Sequence, residues 1–291
     1  MGLGNGRKKV LGLLTDSYNA VFVQEALSGI EGGLGNLPVR TELIELEELS
    51  EPEKNRRIER LALEKSVDGL LVCHLAFNGR QASLFSAAHI PVGLLAGRLE
   101  GVDWSMSDEI HGAYLATRHL LAMGHRRLAL VGGPPVALES RLREDGFLRA
   151  LKEEGLGPDR GSEVKILNFS ENEGYEAGHL LMGLSQRPTA VFCAAGDITC
   201  LGLMTAFSEW GVRVPHDVSL VGYDGLAFSA HLDPPLTTVR QPLSEMARHL
   251  AARLAARMLD PGGRQPKGEI YESELVVRQS TAYPLEARVP A

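Results

Sequence analysis

The sequence is short of the features that mark a membrane protein, a disulfide scaffold or a metal centre. Cysteine occurs three times in 291 residues, at Cys73, Cys193 and Cys200. An odd, sparse set fits a reducing compartment better than a disulfide framework. No apolar run approaches the roughly 18 residues needed to cross a bilayer. The opening "MGLGNGRKKVLGLLTD" follows its charges with only a short apolar strand and no small-residue cleavage site, so no signal peptide is expected. Basic residues are outnumbered, 30 to 37, for a formal charge of −7. That argues against a broad nucleic-acid-binding surface and leaves only a local basic patch open.

Catalytic signatures are missing too. Cys73-His74 has no second pair at metal-ligand spacing, and the nine histidines form neither H-E-x-x-H nor an i,i+4 pair. The run "VGGPP" lacks the Lys-Ser/Thr of a phosphate loop and the full G-x-G-x-x-G, and reads as a tight turn. No G-x-S-x-G elbow supplies a serine nucleophile. No enzyme, cofactor or metal is expected. "ARHLAARLAARM" is basic and amphipathic, as some membrane or calmodulin-target helices are, but a solvated arginine face on a packed helix is the plainer reading.

What is present is repetition. With 44% hydrophobic and 23% charged residues, the chain can bury a large core in one big domain or two lobes. Short apolar strands alternate with amphipathic helices, which predicts an α/β fold with parallel sheets. "VLGLL", "VRTELIEL", "DGLLVC" and "IPVGLLAG" read as strands of a first half. "RRLALVGG", "EVKILNF", "TAVFCAAGD" and "VSLVGYD" repeat the pattern in a second. "MSDEIHGAYLATRHLLAMGH" between them reads as a helix ending near Gly124. The helix "SEMARHLAARLAARML" and the strand "ESELVVRQST" come after both repeats and return to one lobe each. The expected architecture is two similar doubly wound parallel-sheet lobes joined by a multi-strand hinge. The N-terminal lobe spans 8–125 plus 239–264, the C-terminal lobe 126–238 plus 265–285, and 1–7 and 286–291 are tails. Ligands of open α/β sheets sit beyond the carboxyl ends of the strands, so two such lobes would share a cleft.

The order and spacing of "GHRRLALVGG", "SRLREDGFLRAL", "VPHDVSLVGYDG…PPLTTVRQP" and "ELVVRQST" resemble the effector-binding core of the lac repressor/galactose repressor family. That core is similar to the type I periplasmic sugar-binding proteins, and the resemblance covers about Lys9 to Tyr283. It implies a cytoplasmic transcriptional regulator, a homodimer that binds a small polar effector of the sugar kind and switches DNA affinity by lobe closure. The family's DNA-reading headpiece is not in this sequence, whose first strand begins by about Val10, so operator DNA is expected to be met only through such a headpiece. The dimer surfaces the resemblance suggests are "NGRQASLFSAAH" and "GLAFSAHLDPP". Three departures bear on the ligand: Ala20-Val21-Phe22 stands where Asn-Pro-Phe is common, Gly196-Asp197 where Asn-Asp is, and Gly225 where a second acid follows Asp224.

Carried over by position, Arg143 matches the effector-contacting arginine, whose guanidinium fork suits vicinal hydroxyls or a carboxylate. The other reading is a surface arginine paired with Glu139 or Glu144. Asp224 matches the sugar-binding acid, or caps a turn. Asp197 either holds the ligand loop or N-caps the helix that follows. Phe169 and Phe22 each present an aromatic face to ligand or pack in a core. Gln241 bonds the ligand or the hinge backbone. Asp108 and His111 lie at a strand–helix junction, where Asp108 could equally be a helix cap. Asp16 and Asn19 are weaker candidates. A transport-type solute-binding protein, acting as a monomer, is the alternative from another class.

Overall fold

A computed structural model describes residues 7–15, 20–46, 49–73, 75–157 and 163–285. His74, Asp16 and Asn19 lie outside the described residues. The chain divides into two compact units, 1–107 with 242–271 and 108–241 with 272–291. This differs from the lobes read from the sequence at three places, the smallest being residues 239–241, which stay with the second unit. The helix Glu109–Ala122 belongs to the second unit, not the first, and the strand Gly268–Tyr271 belongs to the first, not the second.

In the first unit, β1 (Lys9–Thr15), β2 (Val39–Glu45), β3 (Gly69–Cys73), β4 (Val92–Leu95) and β5 (Asp103–Ser107) alternate with α1 (Ala20–Leu34), α2 (Glu51–Leu63) and α3 (Gly79–Ala87). The second unit holds α4 (Glu109–Ala122), β6 (Leu128–Gly132), α5 (Leu138–Glu153), β7 (Glu163–Lys165), α6 (Glu171–Met182), β8 (Ala190–Cys193), α7 (Asp197–Glu209), β9 (Ser219–Asp224) and β10 (Thr237–Arg240). The chain then returns to the first unit for α8 (Leu243–Leu259) and β11 (Gly268–Tyr271), and to the second for β12 (Glu274–Val276).

Each unit is built on a six-stranded sheet, ordered β11-β5-β4-β3-β1-β2 in the first and β12-β10-β9-β8-β6-β7 in the second. All pairings in the first sheet are parallel, and in the second only β12 runs antiparallel, against β10. Central strands such as "GLLVC" and "AVFC" are buried at every position, as expected where helices cover both faces of a parallel sheet. Alternation along β8 sends Phe192 and Ala194 into the core with Phe147 and Leu120, and Val191 and Cys193 into the core with Leu203 and Phe207. A strand's two-residue period thus feeds two cores at once.

Sequence cues misplaced some element ends. The helix read from Met106 begins at Glu109, because Met106 and Ser107 finish β5 and the Asp108 carboxylate accepts a hydrogen bond from the His111 amide at 2.9 Å. "EVKILNF" keeps only Glu163–Lys165 as strand. "TTVR", which follows the double proline and was not among the strands read from the sequence, is a strand paired with β9. The basic helix α8 buries Met246, Leu250 and Leu254 against the first sheet, with Arg253 and Arg257 bound to the buried Asp103 and to neighbouring groups. Arg253 and Arg257 therefore serve packing inside the unit, while Arg248 stays exposed beside Glu245.

Helices in each unit lie unusually close. A β-carbon on Gly202 of α7 would overlap the backbone of α6 at Glu171 and Tyr175, and one on Gly146 of α5 would overlap the carbonyl of Ile110 in α4. The last described segment is latched by two histidines. His125 Nδ1 pairs with Thr189 Oγ1 at 2.9 Å, its Nε2 lies 2.9 Å from the Ala282 carbonyl, and His119 Nε2 meets Thr281 Oγ1 at 3.0 Å. Burial lowers the pKa of both rings.

Two outcomes follow. Gly202→Ala should lower the unfolding free energy by about 1–3 kcal/mol, seen as a lower denaturation midpoint at unchanged slope in urea. Because His125 takes up its proton more readily unfolded than folded, acid favours the unfolded chain. Stability should therefore fall more steeply in wild type than in His125→Gln as pH drops below about 6.5, compared by urea titrations between pH 7.5 and 5.

Candidate functional site

The carboxyl ends of β6, β8, β9 and β10 and the loop after β7 put polar and aromatic side chains at one edge of the second sheet. Arg143 projects from α5, Phe169 follows β7, Gly196-Asp197 follows β8, Asp224 ends β9 and Gln241 follows β10. The parallel order of these four strands makes their ends neighbours, which is why residues nearly a hundred positions apart meet.

Arg143 is buried, 3% exposed, and is not the surface residue that pairing with Glu139 or Glu144 would make it. Its Nε donates to Glu109 Oε2 at 2.7 Å and its Nη1 to the Ala194 carbonyl at 2.8 Å. Its Nη2 lies 3.7 Å from Asp224 Oδ1, and the guanidinium carbon stands 3.8 Å from the centre of the Tyr223 ring. Burial alone would lower the pKa of Arg143, but the carboxylates of Glu109 and Asp224 raise it, so it stays charged. Glu109 is the functional neighbour that sequence reading missed. It lies on another helix, 34 positions away, and no local spacing couples it to Arg143.

Asp224 has a backbone φ of 97°, a region non-glycine residues seldom occupy and one that recurs at functional sites. The side chain of Gln241 donates to Asp224 Oδ1 at 2.8 Å, and the Gln241 amide donates to the Asp224 carbonyl at 3.2 Å. Burial raises the Asp224 pKa and Arg143 opposes that. Gly225 needs its φ of 74°, and a β-carbon there would strike Arg240. Glycine in place of a second acid is thus a backbone requirement here. Gly196, at φ 112°, faces the Asp224 carboxylate with no room for a side chain.

Asp197 is fully buried and accepts from the Leu226 amide at 2.8 Å and from Thr238 Oγ1 at 2.6 Å. It braces three strand ends from within. Burial, then the charge of Asp224, pushes its pKa up to about 8. Phe169 is half-buried, and its ring fills the space in front of Gly133, beside Ser140. Val136 and Leu167 stand 85% and 75% exposed on the loops that flank it.

The remaining candidates sit elsewhere. Asp108 is exposed and caps α4. The exposed His111 ring stacks on Tyr114 of its own helix, with centroids 6.5 Å apart. Phe22 belongs to α1 of the first unit and is 1% exposed. Among the described residues no group of His, Cys, Asp and Glu could hold a metal ion, and no helix is long and apolar enough to cross a membrane.

A parallel-sheet pair with a buried arginine–carboxylate cluster at a strand edge defines a ligand-binding core of the periplasmic-binding-protein kind, and the family model described as "Periplasmic binding protein-like domain" matches residues 117–281. The chain is 33% identical to the HTH-type transcriptional repressor PurR of Actinobacillus pleuropneumoniae serotype 3 over 241 residues, 79% of this chain and 69% of that protein. It is 30% identical to the PurR repressor of Klebsiella pneumoniae strain 342 over 278 residues, 94% of this chain and 80% of that one. Solved structures agree. The transcriptional regulator CelR in complex with cellobiose superposes with a TM-score of 0.84 at 28% identity, covering 95% of this chain and 85% of CelR. A LacI family regulator from Enterococcus faecium with bound ribose gives 0.83 at 26% identity, covering 94% and 99%. The chain belongs to the LacI family of transcriptional regulators and forms the ligand-binding core of one.

The folded Asp197 keeps a proton that the unfolded chain gives up above about pH 4, so its burial costs stability increasingly as pH rises from there through about 8. Asp197→Asn can still accept the Leu226 bond and removes that cost. Relative to wild type it should gain stability between pH 6 and 9, measured by paired denaturation at the two values.

Proposed function

We propose that the chain binds a small polar effector, sugar-like in its hydroxyl pattern, at the carboxyl edge of the second unit's sheet. Occupancy is passed to operator DNA through a separate helix-turn-helix head, in a cytoplasmic homodimer. The observation that carries the reading is the convergence of Arg143, Asp224 and Gln241, joined by an ion-pair contact and a hydrogen bond, with the half-buried Phe169 at the same sheet edge. Hydroxyls need such donors and acceptors, and the apolar face of a sugar ring needs an aromatic surface. The cellobiose bound to CelR and the ribose bound to the E. faecium regulator support the sugar class.

The ligand can shift a regulator between two states only by its differential affinity for them. Asp224, on a strained backbone and bonded to Gln241 at the point where the chain leaves the unit, suits that role.

A thermal-shift screen of sugars and nucleosides should find a stabilising ligand, worth about 2.7 kcal/mol at a hundred times its dissociation constant. By calorimetry Arg143→Ala and Asp224→Ala should each weaken it by at least tenfold, and wild-type affinity in both would refute the site. Light scattering should give twice the chain mass. A monomer at all concentrations would favour a transport-type binder.

A further inference from the structure

The charges around Arg143 restrict what the site accepts. The guanidinium is met by two carboxylates, Glu109 at 2.7 Å and Asp224 at 3.7 Å. Glu139 and Asp197 add further carboxyls, whose fields reach Arg143 and Asp224 respectively. Burial raises the pKa of both, and protonating them still leaves Glu109 and Asp224 facing one cation. Even with Asp224 protonated as well, the Arg143–Glu109 pair sums to zero. No protonation state that keeps this pair gives these five groups a net positive charge.

Geometry says the same. Two Arg143 nitrogens are committed to Glu109 and the Ala194 carbonyl, and one face of the guanidinium lies on Tyr223. Asp224 is the partly open member, with its side chain 11% exposed against 4% for Arg143 and none for Glu109. Its Oδ1 accepts from the Gln241 side-chain Nε2 and its Oδ2 faces Gly196. An incoming ligand therefore meets acceptor oxygens before it meets free donors.

We propose that this edge takes uncharged or cationic donor-rich ligands, polyols and amino sugars, and excludes anionic ones such as sugar phosphates and sugar acids, with Glu109 as the residue that sets the exclusion. The inference rests on the site assigned above and adds the charge class of its ligand. Glu109 acts through Arg143, as a positioning and specificity-determining residue.

The test is calorimetry on the wild-type chain and on Glu109→Gln, with inorganic phosphate and three matched sets: ribose and ribose 5-phosphate, glucose and glucuronate, glucose and glucosamine. In wild type, phosphate should show no saturable binding up to tens of millimolar, and any anion whose neutral parent binds should bind at least tenfold more weakly, about 1.4 kcal/mol. Glu109→Gln frees the guanidinium, so it should gain phosphate binding at least tenfold over wild type. Wild type binding phosphate or a sugar anion as tightly as the neutral parent would overturn the proposal, and so would a folded Glu109→Gln as indifferent to phosphate as wild type. Where circular dichroism shows Glu109→Gln unfolded, Asp224→Asn, which removes the other carboxylate, takes its place with the same expectation. The phosphate arm decides this inference even when no sugar binds. Failure of every neutral sugar would count against the sugar reading instead.

Discussion

The second unit depends on the ion pair between Arg143 and Glu109. Both are sealed from solvent, where losing one partner strands a charge and costs about 3–5 kcal/mol. A pair so exacting fixes α5 against the start of α4 and sets the position of the guanidinium against Asp224 and the Tyr223 ring. Everything polar at the sheet edge is arranged around that fixed point: Gln241 on Asp224, Asp224 across from Gly196, Asp197 beneath. Such a pair contributes little net stability against an apolar replacement. Its contribution is one defined geometry for the groups that face a ligand.

The knot also touches the places where the chain changes unit. The divisions fall after Ser107, Gln241 and Tyr271. Glu109 follows the first closely, Gln241 ends at the second, and Ser273 follows the third, where its β-carbon shares with the Tyr223 hydroxyl the space in front of Gly112. Arg143, through Glu109, and Asp224, through Gln241, thus have non-covalent contacts with residues beside two of the crossings. The opposing titrations of the unit share one origin. Histidines that close the last segment resist protonation, whereas carboxyls at the edge resist ionisation, and both follow from burial.

Much of this was legible in the sequence, for reasons that differ by element. Strands such as "LALVG" and "AVFC" declare themselves because burial on both faces leaves an unbroken apolar run. The candidate acids Asp197 and Asp224 could be named from the sequence because Asp224 ends a strand and Asp197 follows one closely. The family likeness supplied Arg143 itself, since an arginine in "SRLREDGF" carries no local sign of burial. Its partner Glu109 could not be read, because the pair is made by tertiary packing of α4 on α5. The unit boundaries were misjudged for a related reason. The apolar face of α4 is complementary to α5 through the close approach at Gly146, and amphipathic spacing does not say which sheet a helix will cover. β11 was missed because "GEIY" is short and half-exposed, and is a strand only by pairing with β5.

Both units are discontinuous in sequence, which sets an order on how they can form. α8 and β11 cover and extend the first sheet, yet they are synthesised only after the whole of residues 108–241. β12 and the segment at Thr281 and Ala282 that His119 and His125 grip come later still. During synthesis the first sheet must therefore wait, with the side later covered by α8 unprotected, while most of the second unit is made. The second unit must then wait for the first to be finished before its own edge strand arrives. The first unit is thus complete by residue 271, just before the edge strand that completes the second, so the chain order closes one half and then the other.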